Sequence, residues 1–566
     1  MTVLLWWTTA AYRTCEPQCR SCSQTYTVSV INHQNENGRC YSDSLQGLPS
    51  LDPDQESGSN KEKQRLLNLE IIKKNLDRGC YRRLDVFQDD MFAVFARGRA
   101  LNNIDSEIFE DAMELQQFFM RVRDKLCKSG DVLQSPALNI TEVHFQRIIQ
   151  EEKDKKKMQE PEQDVKEEED MTEKVKDEAI KVEEGLESLT LRDQTYRVGD
   201  FVYVEPREAD LEPHIVSIEK LWMDVEGERY IYGAWHYRPQ ETYHLTTRKF
   251  LEKEVFRSDY QAKRPLGSVL GKCHVMFVKN YFTSRPEGFQ DKDVFVCESR
   301  YSVKSRSFKP IKKWQAPVNP HVVVVARDCP LVPTRVPSVF APKKAYDASG
   351  FHGEFMIIDK DRPNVSCNVA NPDEGCSYYD QYNIPLGTFK LGDCVYVRSE
   401  SERPYIARID RMWTDQSGDP YFHGPWFIHP AEVDHEPTKM FYKREVFLSS
   451  VEDTNPMLSI TGKCCVLSYR DYTTLRPTEV SEQDVYVCDS RYQEAERLIR
   501  KLLKGIKRGA KVSPSVTDDE TYYFRQAVVP QKVHTPSPPP SHAAGWSSLP
   551  AQALSPVLPP SSAASR

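Results

Sequence analysis

Six short motifs occur in this chain in one order and then occur again in the same order. Gly199-Asp200-Phe201-Val202-Tyr203-Val204 has its copy in Gly392-Asp393-Cys394-Val395-Tyr396-Val397, 193 positions later. Every later landmark repeats at 191: Trp222 with Trp413, Trp235 with Trp426, Pro239 with Pro430, Glu254 with Glu445, Gly271-Lys272-Cys273 with Gly462-Lys463-Cys464, and Cys297 with Cys488. An offset that stays constant from Trp222 to Tyr301 leaves no net insertion between landmarks. Each copy is therefore one compact domain of about 120 residues, inside the usual size range.

Short β-branched and aromatic runs behind turn residues read as strands. Phe201-Val202-Tyr203-Val204 follows Gly199-Asp200, and Val294-Phe295-Val296-Cys297 follows Asp293. Val275-Met276-Phe277-Val278 and Tyr230-Ile231-Tyr232 add more, with no long apolar stripe at helical spacing between them. The module is mostly β. Its motifs, Gly-Asp-x-Val-Tyr-Val, Ile-x-x-Leu/Met-Trp, Trp-x-x-x-Pro, Lys/Arg-Glu-Val-Phe, Gly-Lys-Cys and Cys-x-Ser-Arg-Tyr, resemble the bromo-adjacent homology (BAH) domain. Two such domains in tandem, with the stretch before them, resemble the C-terminal part of polybromo-type targeting subunits of SWI/SNF-type chromatin remodellers, over roughly residues 28 to 532.

From about 60 to 130 the periodicity is helical, with stripes at Leu69, Ile72 and Leu76, at Met91, Val94 and Phe95, and at Ile108, Ala112, Leu115 and Phe119. Asp105 or Ser106 is placed to cap the last helix. These are the proportions of a helical bundle. Asn102-Asn103-Ile104-Asp105-Ser106-Glu107-Ile108-Phe109-Glu110-Asp111-Ala112 resembles the Asn-x-x-x-Ser-x-Ile/Val-Tyr/Phe-x-Asp-Ala segment of bromodomains. The resemblance implies that Asn102 donates to the acetyl oxygen of acetyl-lysine and that Ile108 guards the mouth of an apolar cavity. Leu101 stands where the family carries tyrosine, and Cys40-Tyr41-Ser42-Asp43-Ser44-Leu45 lies where many members carry a Trp-Pro-Phe shelf. A neutral amide between apolar walls suits this ligand, because acetylation removes the lysine charge.

The expected architecture is thus multidomain: an unrelated leader at 1–27, an all-α bromodomain-like helical bundle at 28–135, a charged linker at 150–185, mostly-β BAH domains at 190–315 and 388–528 separated by a linker at 316–387, and a disordered tail at 533–566. The linker carries most of the net charge of -8, because residues 150–184 hold 15 acidic against 8 basic residues. The remainder is close to neutral, so local patches must carry any contact with nucleic acid. The tail, rich in Pro, Ser and Ala, cannot bury a core.

Two basic stretches stand out. Lys304, Arg306, Lys309, Lys312 and Lys313 surround Phe308 and Trp314, a pattern suited to phosphates and stacked bases. Between Arg491 and Lys511 an amphipathic helix is expected, with Leu498, Ile499, Leu502 and Leu503 on one face. Arg497, Arg500, Lys501, Lys504, Lys507 and Arg508 would give the other face a contact with DNA or a nucleosome.

Composition and motifs argue against other classes. The apolar start of the chain lacks a basic n-region and no stretch reaches a bilayer-spanning length, so no membrane partner is expected and the scattered cysteines read as thiols in a reducing compartment. Cys15, Cys19 and Cys22 lack a fourth metal ligand, and His429, Glu432 and His435 are matched in the first module by Arg238, Glu241 and His244, so no metal is expected. Phosphate-loop, zincin and nucleophile-elbow motifs are missing, and Cys329-Pro330 reverses the Pro-Cys order of DNA methyltransferases. The expectation is a non-enzyme without cofactor. The resemblance implies a nuclear protein whose partners are acetylated histone tails, nucleosomes, DNA and other subunits of a remodeller.

Overall fold

The computed structural model describes residues 29–48, 67–128, 133–159, 186–206, 211–224, 226–314, 316–341, 362–369, 372–399, 403–503, 505–506 and 512–536. The expectations for residues 1–27, for most of the charged linker and for the end of the tail lie outside these. The chain forms two compact units, one of residues 1–126 and 137–358 and one of residues 127–136 and 359–566. Among the described residues no helix is long and apolar enough to cross a membrane.

The first unit contains the helical bundle and the first β module. Its helices are α1 (Leu69–Asp77), α2 (Leu84–Ala100), α3 (Glu107–Lys128) and α4 (Glu142–Gln159). Asn68 caps α1 by accepting from Ile71 N at 2.8 Å, and of the two expected caps it is Ser106 that caps α3, accepting from Phe109 N at 3.2 Å. Ile72, Leu76, Met91, Val94, Phe95, Ala112, Leu115 and Phe119 are all buried. α4 runs into the stretch read as solvated linker, because Phe145 and Ile149 bury against Met120 while its polar side reaches back to the bundle.

The first module builds an eight-stranded sheet in the order Val294–Cys297, Val269–Phe277, Phe201–Val204, His214–Met223, Arg229–Tyr237, Phe256–Pro265, Ser299–Ser302 and Ser307–Pro310. The two outer segments Val294–Cys297 and Ser299–Ser302 are consecutive in the chain. Each pairs in parallel with its neighbour. Residues 294–302 therefore close the sheet on itself, and edge pairing is removed in the way barrels remove it. Both faces are apolar: Val202 and Val204 enter one core cluster and Phe201 another, which explains why Phe-Val-Tyr-Val lacks polar alternation.

The second unit repeats this closure. Val485–Gln493 pairs in parallel with both Ile460–Ser468 and Glu445–Pro456. From there the pairings run through Pro420–Ile428, Tyr405–Arg408 and Cys394–Val397 back to Ile460–Ser468. Tyr522 lies in the strand Thr521–Tyr523, between Leu133–Gln134 and Leu475–Pro477. Lys532–His534, partly within the expected tail, is a strand pairing Val533 with Phe441.

The repeated motifs acquire physical roles. Lys272 Nζ lies 2.7 Å from Asp200 and Lys463 Nζ 2.8 Å from Asp393, so the Gly-Asp and Gly-Lys-Cys motifs are the two halves of one ion pair. Gly199 and Gly392 take φ of 91° and 93° in the turn before the aspartate, where a side chain is strained. Glu254 accepts from Leu251 N at 2.7 Å and Glu445 from Tyr442 N at 2.8 Å, each clamping the turn into its strand. Glu241 and Glu432 likewise accept from Arg238 N at 2.6 Å and His429 N at 2.9 Å, which gives Glu432 a turn-forming role.

The amphipathic helix expected between Arg491 and Lys511 is not formed. Leu498–Lys501 is a strand antiparallel to Val485–Gln493, with Tyr492 opposite Ile499. The repeat explains the difference, since Ser307–Pro310 pairs the same way with Ser299–Ser302, Tyr301 opposite Phe308. The turn residues Arg306 and Arg497 match at φ of 50° and 51°. Ile499 and Leu502 pack onto core clusters, whereas Leu498 is exposed.

Candidate acetyl-lysine site and basic surfaces

The end of α2, the start of α3 and the turn at Tyr41–Gly47 meet at Gly98, whose carbonyl accepts from Asn102. Arg99, fully buried, holds this corner together: Nε lies 2.7 Å from Glu152 on α4 and Nη1 2.7 Å from Gln116 on α3. Lys156 on α4 donates to the carbonyls of Ala100 at 2.9 Å and Asn102 at 2.8 Å. The loop that carries Asn102 is thus pinned by α4.

Asn102 Nδ2 donates to Gly98 O at 2.8 Å. An amide nitrogen has two hydrogens, so this bond orients the group and leaves one donor. Ile108 is half-buried on the facing turn of α3, whereas Leu101 is 53% exposed and contributes no wall. Of the three residues assigned to the site, the structure brings Asn102 and Ile108 to one corner and leaves Leu101 at its outer edge.

That corner is not empty. A Cβ placed on Gly98 would stand 2.9 Å from Leu45 Cδ2, 3.5 Å from Ala112 Cβ and 3.7 Å from Ile108 Cγ2. Leu45 is 2% exposed, and it fills the space between α2 and α3 beside the carbonyl that holds Asn102. In the sequence, residues 40–45 stand out only for lacking the usual shelf.

α3 also meets the first β module. Arg248 lies across Glu107, with Nη1 2.7 Å from Oε2 and Nη2 3.2 Å from Oε1. Arg39 Nη1 is 2.9 Å from Glu107 and its fork clasps Asp111 at 2.6 and 2.8 Å. Lys312 reaches Glu110 at 2.6 Å. Burial pushes the Glu107 carboxyl up, but Arg248 and Arg39 outweigh it and hold it below its ordinary range. Burial wins at Asp111, which rises to about 6 despite Arg39. Glu298 completes the junction, accepting from Arg335 at 2.6 Å, Asn35 at 3.1 Å and Asn37 at 3.2 Å.

The basic stretches fare differently from expectation. Phe308 is buried and Trp314 packs on Phe201 and Phe277, with centroids 6.5 and 5.8 Å apart, so neither ring is presented for stacking on a base. Arg497, Arg500 and Lys501 sit on the closing hairpin, each near a carboxylate: Asp434 at 3.9 Å, Glu496 at 2.7 Å and Asp489 at 3.5 Å. Lys504, Lys507 and Arg508 lie outside the described residues.

Comparison with known proteins agrees with this layout. The family model for the BAH domain matches residues 194–312 and 387–502, and that for the bromodomain matches residues 49–114. The chromatin structure-remodeling complex subunit rsc1 of Schizosaccharomyces pombe is 27% identical over 44% of this chain and 27% of its own length. The corresponding subunit RSC1 of Saccharomyces cerevisiae is 28% identical over 23% of this chain and 14% of its own length. A crystal structure of the yeast Rsc2 BAH domain matches 23% of this chain and 55% of that chain, at 26% identity and a TM-score of 0.22. The matched stretches span about a quarter or less of the curated relatives' length. The chain carries a bromodomain followed by two BAH domains in tandem, a polybromo-like architecture whose relatives include subunits of chromatin structure-remodeling complexes.

Proposed function

We propose that this chain is a non-catalytic, nuclear targeting subunit of a SWI/SNF-type remodelling complex. It reads acetyl-lysine on histone tails at Asn102, and its BAH domains dock on nucleosomes or on other subunits. The observation that carries the reading is the Asn102 amide: one N–H is fixed on Gly98 O, and Ile108 stands on the facing wall. A side chain ending in a neutral carbonyl suits that pairing of one donor with apolar surface. The pairing of Arg497, Arg500 and Lys501 with carboxylates favours protein over DNA as the partner of that hairpin.

One observation favours a second reading, a scaffold that contacts only other subunits. Leu45 is buried against Gly98, the residue whose carbonyl holds Asn102. Binding of the chain to acetylated and unacetylated mononucleosomes, with Asn102→Ala beside the wild type, separates the two. Preference for acetylated nucleosomes that Asn102→Ala abolishes supports reading. Equal binding to both by the wild type supports the scaffold.

A further inference from the structure

The two BAH modules differ at one place where their strands are otherwise in register. In the first, Trp222 and Tyr230 stack with centroids 5.8 Å apart and an interplanar angle of 21°. Lys263 covers them, its Nζ 4.0 Å from the Tyr230 centroid and 5.4 Å from that of Trp222. In the second, Trp413 and Tyr421 stack at 6.2 Å and 22°, and Tyr378 lengthens the row at 6.1 Å from Trp413. The three residues are direct cross-strand partners, so their rings share one face of the sheet. Each is half-buried and keeps part of its surface in solvent.

Among the described residues no cation stands over the second row as Lys263 stands over the first. Lys263 lies opposite Tyr232, and the matching position opposite His423 is Thr454. The turn beyond the row is acidic in both modules, with Asp224 and Glu228 matched by Asp415 and Asp419, and in the second the preceding loop adds Asp373 and Glu374. Tyr378 Oη donates to Asp373 at 2.8 Å. Gln416 donates to Glu374 O at 3.0 Å, which joins that loop to the one carrying Asp415 and Asp419. Arg411 lies on the same face as Trp413, and the loops at the end of the row carry Asp373, Glu374, Asp415 and Asp419. An exposed aromatic face beside negative charge attracts a cation.

We propose that the row Tyr378, Trp413 and Tyr421 binds a lysine or arginine side chain on a basic peptide segment of a partner protein. The first module satisfies its own aromatic pair with Lys263, and the second takes the same group from outside. The acidic rim selects a peptide that is basic beyond the inserted residue, and it disfavours nucleic acid. This site lies wholly in the second unit and is independent of the reading at Asn102.

The test uses the full chain and a fluorescein-labelled peptide of alternating lysine and glycine, with a glutamate–glycine peptide as control, followed by anisotropy. The lysine peptide binds and the glutamate peptide does not. Trp413→Ala weakens binding about tenfold. Thr454→Lys restores the internal cation of the first module and weakens binding to a similar extent, with unfolding temperature unchanged. Undiminished affinity in a folded Thr454→Lys chain overturns the proposal, as does failure of the wild type to bind.

Discussion

Arg248, at the start of a strand of the first BAH module, meets Glu107, at the start of the third bundle helix, through both ends of its guanidinium, at 2.7 and 3.2 Å. The Glu107 side chain is 4% exposed and Arg39 shares it at 2.9 Å. Bundle and module are therefore joined through charges removed from water, where loss of one partner leaves the others uncompensated. Glu107→Ala is expected to destabilise the first unit by about 3–5 kcal/mol. Glu496→Ala, which breaks the exposed pair with Arg500, should change stability by less than about 0.5 kcal/mol. Urea unfolding of the two variants checks the contrast.

His236 gives a test of opposite sign. Burial and then the nearby Arg257 push its pKa down to about 3, and the second module has Phe427 at the matching position. A depressed folded pKa means stability that is present above the unfolded value and lost as pH falls through the folded one. His236→Phe should therefore unfold later than the wild type at pH 5, with a gain that shrinks towards pH 7. A gain equal at both values contradicts the assignment.

Glu254 titrates the other way. Burial, with Glu298 adding to it, raises its carboxyl to about 7, so its contribution is full below the unfolded value and lost as pH rises through about 7. Glutamine keeps an oxygen for the bond from Leu251 N. Glu254→Gln should stabilise the chain by roughly 1–3 kcal/mol at pH 8 and by little at pH 5. Melting curves at both pH values measure the difference.

Gly424 is required by a close approach of backbone. A Cβ there would stand 1.8 Å from Arg408 O, and the matching Gly233 faces Ser217 O at 1.7 Å. Gly424→Ala forces two paired strands apart, and a loss above about 3 kcal/mol is expected. Gly267→Ala, where nothing lies within 4 Å, serves as the tolerant control.

Much of this architecture was legible in the residues. The 191-residue repeat gave two like modules, and bundle helices followed from the stripes at Ile72, Met91 and Ala112. The failures have physical causes. Leu498, Ile499, Leu502 and Leu503 show helical spacing, but Ile499 is the repeat partner of Phe308, so pairing to the closing strand overrode local periodicity. α4 was missed because only Phe145 and Ile149 bury within a run of charge, and its anchors, Glu152 to Arg99 and Lys156 to Asn102 O, are long-range. Leu45 reaches Gly98 across 53 residues, a contact no local pattern encodes.

The proposed targeting role depends on acetyl-lysine binding beside Asn102. Re-exposing a buried leucine side chain costs about 1.5–3 kcal/mol, so a ligand that displaces Leu45 binds more weakly by that amount. The most direct measurement is calorimetric titration of an acetylated histone peptide into the wild type, Leu45→Ala and Asn102→Ala. Leu45→Ala should tighten binding about tenfold or more, and Asn102→Ala should abolish it. Folded Leu45→Ala and Asn102→Ala chains that match the wild type contradict that role.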